Sequence, residues 1–148
     1  MYKNILVAID DSETSRSALK EALHIARTSN AKLYITHVAD ETLLSMHRRT
    51  VSTSADFDNA IAALASAGRK LLEEAMESAT DVNAESLLLE ALDRRVSETI
   101  ADKARKLNID LIVIGRHGRR GLATFILGSV AEQLAKIASA SVLLVRKH

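Results

Sequence analysis

The chain has 148 residues, enough for one domain with a single sizeable core and too few for two. Apolar residues make up 47% and charged residues 26%, and 20 Lys and Arg face 19 Asp and Glu; general disorder is excluded, and no electrostatic case exists for nucleic acid or a membrane surface. Cysteine and tryptophan are absent and aromatics are 3%, which excludes a disulfide framework, a cysteine-based zinc site, a thiol nucleophile and a base-stacking platform.

In chain order, Ile5 to Ile9 is a continuous apolar run, the pattern of a strand buried on both faces. It is too short for a secretory signal core, and no apolar stretch approaches the roughly 18 residues of a membrane span, so the sequence predicts a cytoplasmic protein with no membrane partner. Asp11-Ser12 offers helix-capping oxygens, and Ala18, Leu19, Ala22, Leu23 and Ala26 then mark one face of a helix that stops at Ser29-Asn30. Lys32 to Val38 is a second strand. Asp40 to Asp56, with His47-Arg48-Arg49 and a Ser/Thr cluster, carries no strand pattern and is expected to be an excursion. Phe57, Ile61, Leu64, Gly68, Leu71, Ala75 and Ala79 step by four and three along a long amphipathic helix. Ser86 to Ala91 is a third strand, Val96 to Leu107 a helix, Ile109 to Ile114 a fourth strand, Ser129 to Ala138 the last helix and Ser141 to Arg146 the last strand.

Strands that alternate with helices predict a parallel sheet covered on both faces. The expectation is one domain over residues 1–148, a three-layer α/β/α fold with a doubly wound five-stranded sheet in the order 3-2-1-4-5.

Glycine placement is the most informative feature of the chain. Of five glycines, four (Gly115, Gly118, Gly121 and Gly128) lie between the fourth strand and the last helix. Glycines let a ligand approach the backbone, and a helix N-terminus offers unbonded N–H groups to an anion. Ser129 adds a hydroxyl, and Arg116, Arg119 and Arg120 add positive charge, so the segment suits a phosphate chain. It is neither a Walker A loop nor a dinucleotide fingerprint, since the first strand ends in Ile9-Asp10-Asp11-Ser12 without glycine. Asp10 falls at the carboxyl end of the first strand, where the sheet order reverses, in position to accept from ribose hydroxyls or to help hold a metal. Val38-Ala39-Asp40 ends the second strand beside the same crevice, and its backbone is placed to meet a flat base. His117 either touches a ligand or is an exposed turn histidine, and His37 is expected to pack as core or edge. No H-E-x-x-H or G-x-S-x-G sequence occurs, so neither a zinc site nor a serine nucleophile is expected.

These residues resemble the universal stress protein family. Asn4 to Ser12 is similar to its first strand and turn, His37-Val38 to the end of its second strand, and Ser141 to Arg146 to its dimerising last strand. Gly115-Arg116-His117-Gly118, nine residues, then Gly128-Ser129 resembles its G-x2-G-x9-G-[ST] signature for ATP. The resemblance implies an ATP-binding, stress-response homodimer, with or without Mg²⁺ on the nucleotide. It implies that Asp10 contacts ribose and Val38 meets adenine through its backbone. Gly115 and Gly118 would line the ribose and phosphates, and Gly128, Ser129 and Val130 would hold phosphates. Val142, Leu143, Leu144 and Val145 are expected to form an exposed apolar edge that pairs with a second copy. Two departures stand out: the family often has proline before the last strand, where this chain has Ala140-Ser141, and glycine before the third helix, where it has Asp93-Arg94-Arg95. The competing expectations are a slow ATP hydrolase or adenylating-type enzyme using the same crevice, and a dimeric scaffold with an empty one.

Overall fold

The computed structural model describes residues 1–41, 54–117 and 128–147. Among them the elements run β1 (Asn4–Ala8), α1 (Glu13–Ser29), β2 (Lys32–Ala39), α2 (Ser54–Glu77), β3 (Ala84–Glu90), α3 (Val96–Lys106), β4 (Leu111–Gly115), α4 (Ser129–Ile137) and β5 (Ser141–Val145). All four strand pairings are parallel and the order is β3-β2-β1-β4-β5, as the alternation predicts.

The apolar runs of the central strands are explained by a core on each side of the sheet. Ile5, Val7, Leu33, Ile35 and Val113 face α1 and α2. Leu6, Tyr34, Ile112 and Ile114 face the opposite way, where Ile100, Ala104 and Leu134 of α3 and α4 cover them. The stripe read for α1 is the buried one: Ala18, Ala22, Leu23 and Ala26 all lie in the core.

Asparagine closes helices where glycine is scarce. Asn30 and Asn108 both sit in the left-handed region, at φ 51° and 52°. The following amides fold back, Ala31 N to Ala26 O at 3.0 Å and Ile109 N to Ala104 O at 2.9 Å, as in a Schellman cap. Asp93 takes φ 53° at the β3–α3 junction. Aspartate tolerates that region better than most side chains, which accounts for its standing where the family often has glycine.

Several boundaries differ from the sequence expectation. β4 starts at Leu111, not Ile109, because Ile109 N closes α3 and the Asp110 carboxylate accepts from Lys3 N at 2.9 Å and Asn4 N at 3.3 Å. β3 starts two residues early, at Ala84. As an edge strand it tolerates the exposed Glu85, which pairs with Lys32 at 2.9 Å. Ser54 to Asp56 belong to α2, not to the excursion; its residues 42–53 lie outside the described residues. Val145, expected on an exposed edge, is only 6% exposed, because it pairs with Gly115 and enters the core with α1. Val142, Leu143 and Leu144 are half-buried against the two cores, so the outer side of β5 offers main chain more than apolar side chain. Among the described residues no helix is long and apolar enough to cross a membrane.

Gly68 lies in the middle of α2, where a glycine lowers helix stability. Its reason is contact: a Cβ there would stand 2.8 Å from both His37 Cδ2 and Leu88 Cδ1. The Leu88 methyl can swing away, but the His37 ring is tethered by a hydrogen bond to the Ile9 carbonyl. Gly68→Val is therefore expected to lower stability by about 1–3 kcal/mol through overpacking, in spite of the better helix former. Urea denaturation checks this, and a variant as stable as the parent would contradict it.

Candidate functional site

The site lies at the carboxyl end of the sheet, where β1 and β4 are neighbours but their chains leave in opposite directions. β1 ends and the chain turns at Asp10. The Asp10 Oδ1 accepts from Ser12 N at 2.8 Å, which fixes the turn. The Asp10 amide donates to Ser15 Oγ at 2.7 Å. Ser12 is the N-cap of α1, its Oγ accepting from Ser15 N at 3.2 Å. Asp10 is half-buried and lines a concavity of about 190 Å³ together with Ile9, Arg16 and Leu19 on its own side and Leu71, Glu74 and Ala75 of α2.

β4 ends at Gly115, against α1. A Cβ on Gly115 would stand 3.0–3.1 Å from the Thr14 backbone and Cβ. The missing side chain thus serves helix packing first. Thr14 uses the closeness: its hydroxyl donates to the His117 carbonyl and lies 3.2 Å from Ser12 Oγ. Arg116 N donates to Val145 O at 2.8 Å, and Arg116 O accepts from Gly128 N at 2.8 Å. That last bond fastens the start of α4 to the end of β4.

Gly128 caps α4 without a side-chain hydrogen bond, and the first bond of the helix is Glu132 N to Gly128 O at 2.9 Å. The amides of Ser129, Val130 and Ala131 consequently have no partner within the helix. Ser129 is exposed and lines a groove of about 310 Å³ between α3 and α4. The Nδ1 of His117 is buried and has no partner among the described residues. At the start of α1, a hydrogen bond and the charge of Lys147 hold the Glu13 carboxyl below its ordinary range, so that negative charge is matched.

Val38 completes the constellation through its main chain. Along β2, even-numbered residues bond toward β1, as Lys32 N to Lys3 O and Thr36 O from Ile9 N show. Odd-numbered ones bond toward β3, as Leu33 N to Asn83 O and Ala39 O from Ala91 N show. The N–H and C=O of Val38 therefore point to the β1 side. There β1 has ended at Ala8, and the Ile9 carbonyl accepts from His37 Nδ1 at 2.8 Å. A donor and an acceptor are left facing the crevice.

The hydrogen bonds link Asp10, through Ser12 and Thr14, to His117, and link Arg116 to Gly128. Gly118 lies outside the described residues, as do Arg119, Arg120, Gly121 and His47-Arg48-Arg49. Sequence reading missed Thr14 and gave His37 only a packing role. The repeated hydroxyls of Ser12-Glu13-Thr14-Ser15 were the available signal for Thr14. These are the donor and acceptor types that a nucleotide uses: the Val38 main chain, the Asp10 carboxylate, the amides of Ser129 to Ala131 that have no partner within their helix, and the buried Nδ1 of His117.

A doubly wound α/β protein with a polar crevice at the reversal of its strand order is the class that this architecture defines. The profile of the universal stress protein family matches residues 1–146, and the chain belongs to that family. Universal stress protein YxiE of Bacillus subtilis is 33% identical over 149 residues, spanning 99% of this chain and 100% of that protein. Among solved structures, a universal stress protein family member from Burkholderia pseudomallei has 31% identity and a TM-score of 0.77, covering 97% of this chain and 96% of that one. A universal stress protein in complex with cAMP has 26% identity and a TM-score of 0.70, covering 99% of each chain.

Thr14→Val keeps the shape of the side chain but removes the donor to His117. The expected cost is about 1 kcal/mol, plus a share for the carbonyl left unpaired. Equilibrium unfolding measures it, and an unchanged midpoint would show that the bond contributes nothing.

Proposed function

We propose that this protein is a regulatory module of the stress response that binds ATP and hardly turns it over. The observation that carries the reading is the bond from Gly128 N to Arg116 O, which sets the N-terminus of α4 on the end of β4. Amides on that helix end suit the phosphates of an anion. Asp10 would accept from ribose, Val38 would pair with the base through its main chain, and Gly115, Gly118, Arg116, His117, Gly128, Ser129 and Val130 would surround the ribose and phosphates. The likeness to a family member solved with cAMP supports an adenine nucleotide.

ATP as a ligand rather than a substrate follows from what hydrolysis needs: an oriented water and charge stabilisation at the γ-phosphate. Asp10 has one carboxylate oxygen engaged by Ser12 N, and Glu132 is paired with Lys136 at 3.2 Å, which leaves His117 as the one remaining candidate among the described residues to orient a water. Gly128→Asp places a carboxylate where the phosphates would lie, and it is expected to abolish ATP binding in calorimetry while the fold persists. Nucleotide released on denaturing the parent should be adenine nucleotide by mass spectrometry. Phosphate release under excess ATP and Mg²⁺ should fall far below the roughly 1–1000 per second of a dedicated enzyme. Sustained release near one per second that vanished in the Gly128→Asp variant would instead favour the hydrolase reading.

Assembly as a homodimer through β5 belongs to the same proposal. On β5 the odd residues bond inward: Ser141 N donates to Asp110 O and Val145 O accepts from Arg116 N. Val142 and Leu144 therefore direct their main-chain groups outward, in position for a ladder with a second copy. Leu144→Pro removes an outward N–H and no bond to β4. Light scattering should find a dimer for the parent and a folded monomer for this variant; a dimeric variant would rule out this interface.

A further inference from the structure

His37 stands on β2 one residue before Val38, with its side chain on the α1–α2 face beside Leu88 and Gly68. Its Nδ1 lies 2.8 Å from the Ile9 carbonyl oxygen. A carbonyl only accepts, so Nδ1 carries the proton and donates. In a regular parallel ladder, the rung after Ile9 N to Thr36 O would run from Val38 N to Ile9 O. The imidazole donates to that carbonyl instead, and β1 stops at Ala8. Gly68 backs the ring so closely that a Cβ there would be 2.8 Å from Cδ2. The ring is held between α2 and the end of β1.

Resting on the adenine-nucleotide reading above, we infer that His37 is a positioning residue for base recognition. By donating to Ile9 O it ends the β1–β2 ladder one rung early and keeps the Val38 N–H and C=O available to a base. An N–H beside a C=O matches the acceptor N1 and donor amino group of adenine. Guanine offers N1–H and O6, the reverse order, and would leave polar groups unpaired. Without the imidazole the ladder zips by one rung, and the Val38 donor is consumed.

Two measurements test this on the full chain. Amide hydrogen exchange of the ligand-free protein reads the ladder: Val38 should exchange readily in the parent and be slowed by about tenfold in His37→Leu, the effect of one backbone bond. Calorimetry with ATP and GTP reads the base: His37→Leu should weaken ATP by about tenfold and reduce the preference over GTP by a similar factor. His37→Asn, whose amide can donate from the position of Nδ1, should restore both readouts. A Val38 amide already protected in the ligand-free parent would overturn the inference, as would an unchanged ATP-to-GTP ratio in His37→Leu. A parent that binds no adenine nucleotide would overturn the nucleotide reading, and base positioning with it, even where Val38 exchange moves as expected.

Discussion

How closely α1 approaches the end of β4 decides how the two turns beside the crevice are joined. Gly115 permits an approach that any other residue would resist, with Thr14 at the distance of a tight contact. At that distance the Thr14 hydroxyl reaches the His117 carbonyl. The turn after β1 and the turn after β4 are then fastened to one helix end, Asp10 and Ser12 on one side and His117 on the other. A helix held one methyl group further away would stretch that bond between the two turns. A glycine assigned to ligand approach by its sequence context thus works first on packing.

The sheet was legible because its central strands are buried on both faces. Ile5 to Ile9 and Leu111 to Ile114 carry apolar residues on both sides, and the helices between them carry one apolar face each. Less legible were the places where one side chain serves a partner far along the chain. Asp110 binds the amides of Lys3 and Asn4, Thr14 meets His117, and His37 meets Ile9. Hydrophobic periodicity reports which face of an element is buried, but says nothing of a polar side chain that reaches a backbone group on another element. The edge strands were misjudged for a related reason: Glu85 is tolerated because β3 has an open side, and Val145 is buried because it pairs with Gly115 under α1. Glycine spacing pointed to a segment whose last glycine, Gly128, bonds to Arg116, while the direction of the Val38 main chain needed the register of β2.

Strand parity links two features that look unrelated. On β2 the even residues bond toward β1, and at Val38 that neighbour has gone. On β5 the odd residues bond toward β4, leaving the even ones at the outer edge. In both places the side chains are largely absorbed by the two cores, and the main chain is what remains on offer. Recognition by main chain is tolerant of substitution, since it depends on where a strand runs more than on which residue occupies it. A sheet with both faces covered has few other polar groups to present.

The bond between Gly128 N and Arg116 O also bears on the length of the span that it closes. It closes the span between β4 and α4 at its base, so the scaffold feels the joined ends rather than the path between them. Lengthening a closed span costs little, about 0.6 kcal/mol for each doubling. The strand and the helix themselves therefore set little demand on the number of residues between them. A spacing held at nine residues between Gly118 and Gly128 then answers to something other than the stability of the scaffold.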